Sequence, residues 1–179
     1  TDARDLGAEL VYAVDTHVHA DHVSGLRAVA EATGCERVLP ARASDRGLDF
    51  DARLVADGEE LAVGEATLEA VHLPGHTSEM TGFRLADLLF AGDTLFLTSV
   101  ARPDLEAGDE GAIDLARRLH ATLHDRILAL DADTRVLPGH YAEGTPPVDG
   151  RYVATVGELR DRLDVLGMGE EAFVAHVTE

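Results

Sequence analysis

Lysine is absent. All 15 basic residues are arginine, and they face 34 acidic residues for a formal charge of −19. So large a negative excess repels nucleic acid and anionic bilayers, so neither is expected as a partner. Hyperthermophile proteins enrich Lys together with Glu, and this chain does the opposite. Adaptation to high salt, where charge repulsion is screened, fits better; the competing explanation is an acidic protein whose GC-rich coding favours Arg over Lys. We expect a halophilic source. The single cysteine, Cys35, excludes an internal disulfide framework and a cysteine-based zinc site. Aromatics make up only 4% and Trp is missing, so the core must be built from Leu, Val and Ala. No apolar run approaches membrane-spanning length and no signal-peptide pattern is visible, so a cytoplasmic location is expected.

What is present divides into short strands and a few helices, an α/β pattern on one domain over residues 1–179. Residues 2–9 read as a short helix and 10–14 as a buried strand, from their nearly continuous apolar character. Apolar positions Val23, Leu26, Val29 and Ala30 recur at helical spacing, with Thr16 or Asp21 as cap, and Gly34 ends that helix. Short strands follow at 38–40, 54–55 and 60–63, the last two separated by the turn signal Asp57-Gly58. Between the first two, residues 41–51 read as a loop. Residues 67–73 alternate as a half-solvated strand, and 82–85 with 88–91 form a hairpin around Ala86-Asp87. Residues 97–109 read as a loop, 110–130 as the longest helix and 134–137 as a strand. A Pro-rich segment at 144–150 and helices at 153–166 and 170–177 complete the chain.

Chemistry concentrates where strands end. Thr-His-Val-His-Ala-Asp-His at 16–22 places three histidines and an aspartate immediately beyond the first strand. His76 follows the strand ending at Leu73, Asp93 the one ending at Ala91, and His140 the one ending at Leu137. Ligands leaving the same ends of several strands converge on one rim of a sheet, where layered α/β proteins place their active sites. Imidazole and carboxylate are donors for first-row transition metals, and they accept both iron and zinc. The Pro-Gly pairs before His76 and His140 supply sharp turns.

Four motifs, Thr-His-Val-His-Ala-Asp-His at 16–22, Gly-His-Thr at 75–77, Gly-Asp-Thr at 92–94 and Gly-His at 139–140, resemble the metallo-β-lactamase superfamily in order and spacing. The resemblance implies a four-layer αββα sandwich. It places His17, His19 and His76 at a first metal position, and Asp21, His22 and His140 at a second, with Asp93 bridging. Superfamily members carry more strands before the first motif, so part of the N-terminal strands is expected to be missing and the chain to be a trimmed segment of a longer protein. Gly25 and the run Ala-Arg-Pro-Asp-Leu at 101–105 are similar to persulfide dioxygenases within the glyoxalase II-like branch. That likeness implies one Fe(II) per chain on His17, His76 and Asp93. It makes His19, Asp21, His22 and His140 supporting groups, and the substrates a low-molecular-weight thiol persulfide and O2. Arg102 would hold a substrate carboxylate or the developing sulfur oxyanion, or else form a buried ion pair with Asp104; Tyr141 would donate a hydrogen bond into the site. The competing expectation is a glyoxalase II-type thioester hydrolase with two zinc ions. A third is a metal-binding or sulfur-trafficking module without turnover. A homodimer is compatible with all three.

Overall fold

The computed structural model describes residues 2–19, 23–141 and 150–179. Three separate apolar clusters define its layers. After a short helix α1 (Asp2–Asp5), briefer than the one expected at 2–9, the first strand of the chain, β1 (Tyr12–Val14), pairs in parallel with β2 (Glu36–Pro40), and β2 in parallel with β3 (Arg53–Val55). Successive strand residues point to opposite faces, so Ala13 and Leu39 pack outward with Leu26 and Ala30 of α2 (Leu26–Thr33). Tyr12, Val14 and Val38 pack inward on Leu61, Ala70 and Phe83 of the second sheet. That sheet comprises β4 (Glu60–Val63), β5 (Ala66–His72), β6 (Thr81–Leu85), β7 (Leu88–Gly92), β8 (Arg135–Pro138) and β9 (Ala154–Thr155), in that spatial order. Its other face carries Leu73, Met80, Leu89, Ala91 and Val136 against Leu119, Leu159 and Phe173. These last three come from α3 (Asp104–Thr122), α4 (Val156–Arg162) and α5 (Glu170–Thr178). Helix, sheet, sheet and helices thus stack as the four-layer αββα arrangement expected from the motifs. Among the described residues, no helix is long and apolar enough to cross a membrane.

Several local expectations are corrected. The first strand is shorter than residues 10–14 and only partly as buried as expected: Ala13 is buried, with Tyr12 and Val14 half-buried, whereas Leu10 and Val11 precede β1 and are each 42% exposed. Val23 is 95% exposed and lies before α2. The Ser24 hydroxyl donates to Asp15 Oδ2 at 2.6 Å and accepts from Leu26 N at 3.0 Å, which starts the helix later. Residues 41–46 form a 3-10 turn rather than a loop. The strands on either side of Asp57-Gly58 belong to different sheets, and the hairpin turn falls at Gly64 instead, between β4 and β5. The long helix opens at Asp104, with Asp104 and Glu106 in its first turn where carboxylates favour the positive helix end. It closes through a π turn at Leu123–Ile127. Residues 154–155 pair with β8, and Thr155 then caps α4 in a capping box with Glu158. The hairpin around Ala86-Asp87 and the ending of α2 at left-handed Gly34 are as expected. The Pro-rich reading at 144–149 lies outside the described residues.

Strand direction brings the motifs together. β5 and β6 are antiparallel, as are β6 and β7, so β5 and β7 run the same way; β8 is parallel to β7. The C-terminal ends of β5, β7 and β8 therefore share one edge of the sheet. β1 is tied to that edge by the Thr81 N–H donating to Thr16 O at 2.8 Å.

Candidate metal centre

Glycine backbone geometry shapes the approach of two of the donors, Asp93 and His76. The register between β7 and β8 shifts between Phe90 and Gly92, and Gly92 adopts φ 53°, so the chain turns sharply as it releases Asp93. Gly139 approaches so closely that a Cβ there would lie 2.6 Å from Asp93 Oδ1. Gly75, at φ 149°, lies against Leu119 of α3 just before His76.

The result is a converging donor set. Single ligand atoms of His17, His76 and Asp93 lie within 4.8 Å of one another. His17 Nε2 and His76 Nε2 each stand 3.8 Å from Asp93 Oδ2. His17 is 2% exposed and Asp93 7%. The outer nitrogens are occupied elsewhere. His76 Nδ1 is 3.3 Å from the Arg102 carbonyl, which can only accept; Nδ1 therefore carries the proton and Nε2 presents its lone pair inward. His17 Nδ1 is 3.0 Å from Thr16 Oγ1, consistent with the same tautomer. Outer partners of this kind orient metal-binding imidazoles. Two imidazoles and one carboxylate on one face fit a first-row transition metal, with coordination positions left for ligands.

The remaining motif residues surround this set. His140 Nδ1 lies 2.7 and 2.8 Å from the two oxygens of Asp93. The His19 ring is 4.1 Å from the His17 ring and 6.0 Å from that of His140, centre to centre. Asp21 and His22 lie outside the described residues. Arg102 Nε and Nη2 donate to Asp104 at 3.1 and 2.6 Å. The pair is solvent-exposed rather than buried, at 70% and 31% of the side chains. Asp104, held by Arg102, has its carboxyl below the usual carboxylate range. The same two residues line a cleft of about 720 Å³ with Ser99, Ile113, Val165 and His176, beside the donors rather than over them. Tyr141 is exposed and stacks on Tyr152, ring centres 4.0 Å apart.

Glu79, Arg46 and Glu106 belong to none of the sequence motifs. Glu79 is buried, hydrogen-bonded to Arg46 and to the backbone of Val18 beside His17. A glutamate in the link between His76 and the buried start of β6 was the available signal; its cation lies 33 residues away and no local pattern joins them.

Comparison with known proteins agrees with this geometry. Human mitochondrial persulfide dioxygenase ETHE1 is 33% identical over 176 residues, covering 96% of this chain and 62% of that protein. Hydroxyacylglutathione hydrolase of Methylococcus capsulatus is 35% identical over 170 residues, covering 91% of this chain and 60% of that one. The crystal structure of ETHE1 from Myxococcus xanthus matches with a TM-score of 0.82 at 29% identity, over 99% of this chain and 72% of the other. The chain spans about three fifths of the length of these two curated relatives. Residues 2–140 match the Metallo-beta-lactamase superfamily, from the first helix through all the strand-end donors described above, and the chain belongs to that family.

Proposed function

We propose that this chain is an iron-dependent persulfide dioxygenase. It would oxidise a low-molecular-weight thiol persulfide, such as glutathione persulfide, to sulfite and the thiol. The observation that carries this reading is the division of labour around Asp93. His17 and His76 turn Nε2 toward Asp93 Oδ2, while His140 Nδ1 hydrogen-bonds to the carboxylate. That favours one metal on three donors, with His140 as a supporting group. His19, packed on His17, and Asp21 and His22 would support in the same way.

Fe(II) held by His17, His76 and Asp93 would supply open positions for a sulfur ligand and O2, and the redox capacity for the reaction. The protein's own part is arrangement. His76 and His17 are held by the Arg102 carbonyl and Thr16, so their lone pairs stay inward. His140 donates its Nδ1 proton toward Asp93 and restrains the carboxylate. Asp104 takes Nε and Nη2 of Arg102, and the guanidinium's remaining N–H groups are suited to a substrate carboxylate or sulfur oxyanion at the edge of the site. Tyr141, next to His140, would offer a hydroxyl to the same edge. In the overall balance the outer sulfur takes both atoms of O2 and one oxygen from water, and the inner sulfur leaves as the thiol.

The second reading is a two-zinc thioester hydrolase of glyoxalase II type. It draws support from the hydroxyacylglutathione hydrolase relatives and from His19 and His140 lying against the three donors. An oxygen electrode with parallel sulfite assay separates the two. Iron-loaded protein given glutathione persulfide is expected to consume O2 and release sulfite in equal amounts. Absence of O2 uptake together with hydrolysis of S-lactoylglutathione would overturn the dioxygenase reading. Substituting His22 sharpens the comparison, because it should strip a metal from a two-zinc hydrolase and leave iron bound in the dioxygenase.

A further inference from the structure

Behind the donors lies a charge cluster that the proposed reaction does not use. The Glu79 side chain is fully shielded from solvent. A bare carboxylate in that position is strongly disfavoured, and it persists only with a cation and hydrogen bonds. Arg46, closing the 3-10 turn, donates to Glu79 Oε2 from Nε at 3.1 Å and from Nη2 at 2.6 Å. The same Nη2 reaches Glu106 in the first turn of α3. Glu106 in turn accepts from Ser78 N at 2.5 Å and from the Ser78 hydroxyl at 2.8 Å. The other oxygen of Glu79, Oε1, accepts from Val18 N at 3.2 Å.

The places these bonds land give the cluster its meaning. Val18 stands between His17 and His19, in the loop that leaves the three-stranded sheet. Ser78 stands two residues after His76, in the loop that leaves the six-stranded sheet. A metal bound by His17 and His76 draws donors from both sheets, so its geometry depends on how those two loops are spaced. β1 ends at Val14 and the backbone tie from Thr81 N reaches only as far as Thr16 O, so at Val18 it is Glu79 that holds the loop beyond that tie. Stability alone is a weak reason to keep such a cluster, since buried ion pairs can often be replaced by apolar side chains without loss.

We propose that Glu79, braced by Arg46 and Glu106, is a positioning residue for the metal centre, fixing the His17 loop against the His76 loop. This rests on the reading that His17 and His76 hold a metal, and the test separates the two claims. Co(II) is the probe, with affinity measured by chelator competition, coordination by its visible spectrum, and folding by circular dichroism. Glu79→Leu leaves Arg46 its partner Glu106, so no buried cation is stranded. It is expected to lower Co(II) affinity by about 10- to 100-fold and to alter the spectrum. Glu79→Gln keeps an oxygen for Val18 N and is expected to lose less, below about tenfold. Glu106→Gln, nearer the surface, is expected to weaken binding by a few fold with full folding, and decides the matter if Glu79→Leu does not fold. His76→Ala is the control and should abolish binding. If His76→Ala binds as wild type, the metal reading fails and the proposal fails with it. If His76→Ala abolishes binding while the folded Glu79 and Glu106 variants keep wild-type affinity and spectrum, the cluster is structural only and the positioning role is overturned.

Discussion

Replacing Asp93 by Ala should remove most of the metal-dependent stability of this protein. Asp93 Oδ2 faces both inward imidazole nitrogens, and the side chain is nearly buried, so water is poorly placed to substitute for it. A metal that binds only the folded state stabilises it by about 4.1 kcal/mol when present at about 1,000 times its dissociation constant. Loss of the carboxylate should weaken binding by at least about 100-fold, which lowers that term to about 1.4 kcal/mol or less at the same metal concentration. For a chain of this size each kcal/mol moves the midpoint by about 2–4 °C. The metal-induced rise in Tm should therefore fall from about 8–16 °C in wild type to about 3–6 °C or less. Thermal unfolding with and without added metal reads this directly, and an unchanged rise would show that Asp93 is not a ligand.

A second large effect is expected from Gly92→Ala, a change that touches no donor. At φ 53° an alanine backbone is strained, which costs about 1–3 kcal/mol. The added Cβ would also meet Met80 Cε at 2.0 Å and Thr16 Oγ1 and Cβ at 2.8 and 2.9 Å. Met80 ends in a flexible methyl and can move. Thr16 cannot move freely, because its carbonyl accepts from Thr81 N and its hydroxyl meets His17 Nδ1. The substitution should therefore lower stability without metal and also tilt His17, weakening metal binding by about tenfold or more. Denaturant unfolding of the metal-free protein and chelator competition measure the two parts separately. A variant that loses stability but keeps full metal affinity would show that Thr16 does not hold His17 in place.

The convergence of His17, His76 and Asp93 was legible in the sequence, as was the layered α/β architecture, while the assignment of single strands to sheets was not. Donors placed just past strand ends are a local signal, and the parallel directions of β5, β7 and β8 turn it into one cluster. The hairpin at Ala86-Asp87 and the end of α2 at Gly34 were legible for the same reason, since turn chemistry is local. Sheet membership was not. The strand at 53–55 and the strand at 60–63 look like hairpin arms around Asp57-Gly58, yet one packs in each sheet, a choice made by tertiary burial of Val55 and Leu61 between the layers. Leu10 and Val11 read as part of the buried strand because periodicity reports apolar character and cannot tell where the strand begins. The strand at 154–155 was hidden by a helical pattern, although Thr155 and Glu158 spell a capping box that marks where the helix begins. The pairing of Glu79 with Arg46 was invisible because it spans 33 residues and joins separate elements.

The most direct test of the account is the metal content of the protein purified after expression with iron and zinc both available. One iron per chain, lost in His76→Ala and retained when His22 is replaced, is the predicted result. Two zinc ions per chain, one of them lost on replacing His22, would contradict the single-iron centre on His17, His76 and Asp93.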